Sequence, residues 1–162
     1  HTVVYKSTDG GRTWKEASRF EFTDRPYIGI DRNGEYPGRL YVAGHLAIPG
    51  ITSSVGTRYA VQLWRSLDGG STFLGPVQAL YPEGATILGF GTGAVLPDGT
   101  FAVWFGLGKP GRAFGGRDVD YQPFLGPNME AYVVSTSDGG ETLSEASKIG
   151  DFTVALSRTP GA

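Results

Sequence analysis

Apolar residues fall in short runs along this chain, and three of the runs end at a pair of glycines. Val3, Val4 and Tyr5 stand before Asp9-Gly10-Gly11, and Tyr59 to Trp64, alternating with Ala60 and Gln62, precede Asp68-Gly69-Gly70. Met129 to Val134 precede Asp138-Gly139-Gly140. β-Branched and aromatic runs closed by turn residues predict strands. Nowhere does a 3.6-residue period predict a helix.

The same order recurs between these points. After the first turn the pattern predicts strands at Trp14–Ser18, Tyr27–Asp31 and Arg39–Ala43, with a turn at Asn33-Gly34 and a Gly/Pro/Ser-rich loop over Gly44–Thr57. After the second come Pro76–Leu80, a glycine-rich approach, Gly93–Leu96, the turn Pro97-Asp98-Gly99, Phe101–Phe105 and a long loop, Gly106–Pro127. Leu143–Ile149 and Phe152–Ser157 complete the prediction.

The turns themselves repeat. Ser7-Thr8-Asp9-Gly10-Gly11-Arg12-Thr13-Trp14 returns as Ser66-Leu67-Asp68-Gly69-Gly70-Ser71-Thr72-Phe73 and as Thr136-Ser137-Asp138-Gly139-Gly140-Glu141-Thr142-Leu143. A chance Asp-Gly-Gly-x-Thr is expected about 0.02 times at this composition, so three copies are an internal repeat. The aspartates are 59 and 70 residues apart, beyond the roughly 40–45 residues of a compact four-stranded blade, which leaves room for long loops. A short Asp side chain closes such a turn by accepting backbone N–H groups just after it. Glycine supplies backbone angles that a Cβ forbids. The closing Trp14, Phe73 or Leu143 is a hydrophobic plug.

Four strands per unit, joined by turns, make a β-propeller blade. The fold class is therefore all-β, built of four-stranded antiparallel sheets. With strands named A to D from the central channel outward, each Asp-Gly-Gly turn joins C to D. Residues 1–19 then hold strands C and D of one blade, 20–80 and 81–149 are two full blades, and 150–162 give the first strand of the next. Closure removes sheet edges and takes about four to eight blades. We therefore expect the remaining blades to come from a longer parent polypeptide, the preferred reading, or from copies of this chain.

Composition narrows the chemistry. A net charge of −2 and 19% charged residues give no nucleic-acid footprint. The apolar runs are too short to span a bilayer. With no cysteine, neither a disulfide framework nor a thiolate metal site is available. Nothing at His1 resembles a signal peptide.

[Ser/Thr]-x-Asp-x-Gly-x-Thr-[Trp/Phe] resembles the Asp box of the sialidase superfamily, the bacterial neuraminidase repeat. The first two turns match it fully and the third departs only at Leu143. Asp24-Arg25-Pro26-Tyr27-Ile28-Gly29-Ile30-Asp31 with Gly38-Arg39-Leu40-Tyr41-Val42-Ala43 is similar to the first two blade strands of bacterial sialidase-like proteins. The resemblance implies a secreted or periplasmic protein and a glycan or protein ligand. It also implies that the box residues Ser7, Asp9, Gly11, Thr13, Trp14, Ser66, Asp68, Gly70, Thr72, Phe73, Thr136, Asp138, Gly140 and Thr142 are scaffold. The working face is then the opposite one, made by D–A and B–C connections. A sialidase clamps a carboxylate with three arginines and uses a Tyr–Glu pair as nucleophile and an Asp as acid/base. The family's Phe/Tyr-Arg-Ile-Pro motif does not occur in this sequence.

Candidates on that face are Asp24 and Arg25 as catalytic groups, against a structural reading in which Asp24 caps the loop and Arg25 bridges blades. His45, opening the B–C loop, and Arg112, Arg117, Asp118 and Tyr121 in the long loop are candidate substrate ligands. Lys109 and Asp120 share that loop, and its alternative role is to cover a neighbouring blade or partner. No cofactor is expected. A structural calcium ion at Asp118-x-Asp120 would have two carboxylates, too few to support it. Trp64 and Trp104 read as core or inter-blade packing. Two function classes remain open: an exo-glycosidase of sialidase type or on a related sugar, and a non-catalytic module binding protein or glycan.

Overall fold

A computed structural model describes the backbone of residues 1–53, 56–82, 86–108 and 129–152, and the side chains of these except 47–53, 56–58, 86–90, 108 and 129. Arg112, Arg117, Asp118 and Tyr121, with Lys109 and Asp120, lie outside the described residues.

Among the described residues ten strands alternate with turns. β1 (Thr2–Lys6) and β2 (Lys15–Phe20) form a two-stranded sheet. β3 (Asp24–Ile30), β4 (Leu40–Ser53), β5 (Gly56–Ser66) and β6 (Leu74–Leu80) form a four-stranded antiparallel meander. β7 (Thr86–Val95), β8 (Phe101–Gly108), β9 (Met129–Thr136) and β10 (Ser147–Phe152) form a second. The chain thus has two four-stranded blades preceded by a C–D pair. The three Asp-Gly-Gly turns occupy equivalent C-to-D positions.

Hydrogen bonding explains why these turns form. Asp9 Oδ1 accepts the Arg12 and Thr13 N–H groups at 2.9 Å, Thr13 Oγ1 donates to Oδ2 at 2.6 Å, and Ser7 Oγ donates to Oδ1 at 2.8 Å. Asp68 makes the same set with Ser66, Ser71 and Thr72, and Asp138 with Thr136, Glu141 and Thr142. Donation by the turn threonine and by the N–H groups holds Asp9 and Asp68 well below the usual carboxylate range. At Asp138 burial opposes the shift and the same bonds outweigh it. Both glycines of every turn have φ between 67° and 88°, the left-handed region that a Cβ disfavours.

One detail differs among the turns. The Trp14 indole N–H donates to Gly11 O at 3.1 Å. Leu143 has no such donor, and there Arg65 Nη1 of the preceding blade reaches the equivalent Gly140 O at 2.5 Å, while Arg39 Nη1 reaches Gly139 O at 2.9 Å. Two arginines of the preceding blade thus tie the third turn to it.

Alternation along the strands fixes the core. Tyr41, Ala43, Val61 and Leu63 from one blade meet Phe101, Val103, Phe105, Leu107 and Val134 from the next. Tyr41 stacks on Phe101 at 5.0 Å and Tyr81 on Phe105 at 4.5 Å. Full burial of a side chain such as Phe101 contributes about 1.5–3 kcal/mol. On the opposite face Trp64 is 2% exposed and stacks on Phe20 at 4.7 Å. Trp64 packs between blades as expected. Trp104 is 43% exposed, with its ring against Gly91 of the same blade.

Three expectations from the sequence need correction. The Gly44–Thr57 segment is largely strand: β4 and β5 continue past the rest of the blade and still pair at Thr52↔Thr57 and Ser53↔Gly56. A register shift between Ala47 and Thr52 absorbs Pro49-Gly50, and a two-stranded ribbon tolerates proline where a central strand does not. The glycine-rich approach to Gly93 is likewise strand from Thr86. Its glycines make room for neighbouring rings, since a Cβ at Gly91 would collide with Trp104 and one at Gly93 would meet Tyr27 and Phe101. Finally, Gly150–Phe152 belong to β10, with Phe152 paired to Met129, and not to a following blade. The rest of the segment assigned to that strand lies outside the described residues.

Candidate functional site

In an antiparallel meander the A–B and C–D turns share one edge of the sheet, and the start of A shares the other edge with the B–C connection. Asp24 opens β3 and pairs with His45 on β4, at the edge away from the Asp-Gly-Gly turns. Beyond this pair the β4–β5 ribbon overhangs the sheet. Asp24 and His45 come together as the sequence placed them, on one face; His45, however, is a buried strand residue and not the first residue of a loop.

His45 Nε2 lies 3.3 Å from Asp24 Oδ2, the imidazole buried and the carboxylate more than half exposed. Burial pushes the His45 pKa down, the neighbouring Arg25 charge adds to this, and Asp24 opposes it. A neutral imidazole donating to Asp24 fixes the carboxylate while leaving its outer lone pairs toward solvent. Arg25 is exposed, at a bulge between Asp24 and Tyr27, with φ of 48°. A left-handed non-glycine residue costs on the order of 1–3 kcal/mol and clusters at sites where geometry is functional.

Support comes from beneath. Thr23 is buried; its N–H donates to Thr2 Oγ1 at 3.1 Å and its hydroxyl to His45 O at 3.4 Å. A Cβ at Gly44 would collide with that hydroxyl. The run Thr23-Asp24 is thereby tied to β1 on one side and to β4 on the other. The sequence singled out Asp24 but gave no signal for Thr23 or Gly44, whose roles depend on contact between distant segments.

The neighbouring blade provides an internal control. Aligned on Ser66 and Thr136, His45 corresponds to Gly106, and the Asp24↔His45 pair corresponds to Gly89↔Gly106. The blade scaffold therefore forms without a carboxylate or an imidazole there.

A second polar group went unnoticed in the sequence. Tyr132 donates to Glu130 Oε2 at 2.9 Å, and Lys148 Nζ bridges Glu130 Oε1 at 2.8 Å and Asp151 Oδ1 at 2.9 Å. Burial and the Glu130 charge raise the Tyr132 pKa. The two carboxylates raise that of Lys148. Tyr132 packs near Phe105, 6.0 Å between ring centres. Two open grooves lie elsewhere, about 590 Å³ between residues 35–39 and 67–69 and about 440 Å³ between 78–82 and 143–146. Neither includes Asp24 or His45, and the Asp68 carboxylate in the first is occupied by its own turn. Among the described residues no three His, Asp or Glu side chains gather as a metal-binding group.

No known family profile matches the sequence, and no curated protein matches it significantly. Structure carries further. The fold is similar to a substituted form of the α-L-arabinofuranosidase Arb93A from Fusarium graminearum, solved with an iminosugar inhibitor, at a TM-score of 0.51 and 17% identity over 93% of this chain. The match spans 41% of that protein. At this identity the likeness establishes the fold, all-β with blades of propeller type, and leaves activity to the site.

Proposed function

We propose that this chain forms part of a glycan-active propeller that receives a sugar at the edge bearing Asp24, Arg25 and His45. The observation that carries the reading is the Asp24–His45 pair, held at that edge where the sister blade has two glycines. A carboxylate oriented by a buried neutral imidazole suits acceptance of sugar hydroxyls or proton exchange with a glycosidic oxygen. Arg25 beside it supplies a guanidinium fork for an anionic sugar. The Asp-box resemblance to sialidases and the fold likeness to an arabinofuranosidase both favour an exo-acting glycoside hydrolase, with terminal sialic acid or a related sugar as substrate.

A specific observation favours a second reading, a non-catalytic glycan-binding module. The Tyr132–Glu130 hydrogen bond among the described residues is ill suited to a phenolate nucleophile, because Lys148 already occupies Glu130 and the phenol pKa is raised. Titrating 3′-sialyllactose and an arabino-oligosaccharide against the chain and its Asp24→Asn variant tests the site. Loss of one charge-assisted hydrogen bond should weaken binding about ten- to hundredfold. Unchanged affinity in that variant would remove Asp24 from the site. Release of methylumbelliferone from its α-sialoside or α-L-arabinofuranoside by the unmodified chain separates hydrolase from binding module.

A further inference from the structure

The β3–β4 turn carries Asn33-Gly34, a pair of residues that can react with itself. Asparagine before glycine loses ammonia when the glycine nitrogen attacks the side-chain carbonyl carbon, and no Cβ on the glycine stands in the way. The bond from Gly34 N to Asn33 Cγ forms, and the Cγ–Nδ2 bond breaks. The Gly34 amide proton leaves with the side-chain nitrogen as ammonia. Water then opens the succinimide ring to an aspartyl or an isoaspartyl residue. Asn33 is exposed, so water and base reach the group under attack.

The attacking nitrogen is held instead. The Gly34 N–H donates to Asp31 Oδ1 at 2.6 Å, and the same fully buried side chain accepts the Asn33 N–H at 3.1 Å and the Tyr36 N–H at 2.8 Å. Asp31 is itself fixed in the backbone, its N–H donating to Arg39 O at 2.9 Å and its O accepting the Gly38 N–H at 2.7 Å. Gly34 also rests on Gly99 of the next blade, where an added Cβ would collide with the Gly99 backbone. A nitrogen pinned on both sides cannot swing toward Asn33 Cγ. Its N–H also resists the deprotonation that makes it a nucleophile, because a second negative charge would form beside the carboxylate.

Other steps of this kind are protected differently. Asp9, Asp68 and Asp138 also precede glycine, but they titrate well below the usual carboxylate range and stay ionised. An ionised carboxylate resists attack by an amide. In the sister A–B turn the Gly99 N–H is taken by Leu96 O at 2.9 Å. Asn33 carries a neutral amide, so its protection has to come from control of the Gly34 nitrogen.

We propose that Asn33 is a deamidation site that Asp31 keeps closed in the folded chain and that unfolding opens. The product cannot rebuild the turn. The succinimide has lost the N–H that Asp31 receives, and an isoaspartyl residue adds a carbon to the backbone. Excursions to the open state are thereby converted into permanent loss of the turn.

The test incubates the purified chain at mildly alkaline pH, native and in urea, and follows Asn33 by peptide mass mapping after digestion in acid. The native chain should react at least about tenfold more slowly than the unfolded one. Asp31→Ala, compared under conditions where circular dichroism shows it folded, should react about ten- to hundredfold faster than wild type, the effect of losing a hydrogen bond to a charged acceptor. Asp31→Asn keeps the size and one acceptor oxygen, so it holds the fold where Asp31→Ala fails, and should react at an intermediate rate. Asp68→Ala weakens the same blade with Asp31 in place, and at equal folded fraction it should match wild type. Three outcomes would each overturn the proposal: native wild type reacting as fast as in urea, folded Asp31 variants as slow as wild type, or Asp68→Ala as fast as the Asp31 variants. No readout involves a sugar, so failure here is distinct from failure of the glycan site.

Discussion

The two complete blades are alike at one edge and unlike at the other. At the turn edge, Asp68 and Asp138 make matching bonds, each taking a threonine hydroxyl at 2.6 Å and two backbone N–H groups. At the other edge, one blade sets Asp24 against His45 where its sister pairs Gly89 with Gly106. An edge constrained by its own hydrogen bonds has little freedom to vary. The opposite edge can accept a carboxylate and an imidazole or two glycines on the same ladder, and it is the edge available for specialisation.

The most severe way to break the likeness is to remove what both blades share. Phe101 stacks on Tyr41 and lies near Tyr27, so Phe101→Ala should cost about 3–5 kcal/mol. Calorimetry should show one transition at a lower midpoint. Two separated transitions would show that the blades fold independently.

Next in size is the turn edge. Asp68→Ala and Asp138→Ala each leave two backbone N–H groups and a threonine hydroxyl without their acceptor, and both should lower the thermal midpoint by several degrees. Sugar affinity, measured below the new midpoint, should not change. A stable Asp68→Ala protein with abolished binding would reverse the assignment of the two edges.

A smaller effect should sharpen the contrast at the third turn. Arg65→Met removes the donor to Gly140 O, and Leu143→Trp offers an indole N–H to the same carbonyl, as Trp14 does to Gly11. The double variant should regain part of the stability that Arg65→Met loses in chemical denaturation. Strictly additive losses would mean that the two donors do not substitute for one another.

The pH dependence is the finest probe. The folded state holds the His45 pKa below its usual 6.5, so the unfolded chain binds the proton more readily. Stability from this site is complete above about pH 6.5 and declines as pH falls toward the folded value. The turn aspartates act lower, their contribution declining only below the ordinary carboxylate value of 3.8. His45→Gln should abolish the first decline and spare the second in a denaturation series across pH.

Sequence alone determined the blade repeat, the chemistry of the three turns and the edge on which Asp24 and His45 lie. Each of these depends on local pattern: alternation within a strand, and an acceptor a few residues from its donors. It put Asp24 in a loop before Tyr27, however, where the structure pairs it with His45 on the B strand. It misread Gly44–Thr57 as loop because Pro49 and Gly50 carry turn signals that a two-stranded ribbon overrides. It also began a new blade at Phe152, where pairing with Met129 keeps the chain in the old one. Only the tertiary structure decided that Thr23 fits against Gly44, that Arg65 caps a turn 75 residues away, and that His45 is buried with a lowered pKa. Those facts arise where separate segments share one small volume. Burial and contact across such distances are set by packing, which no local spacing of residues records.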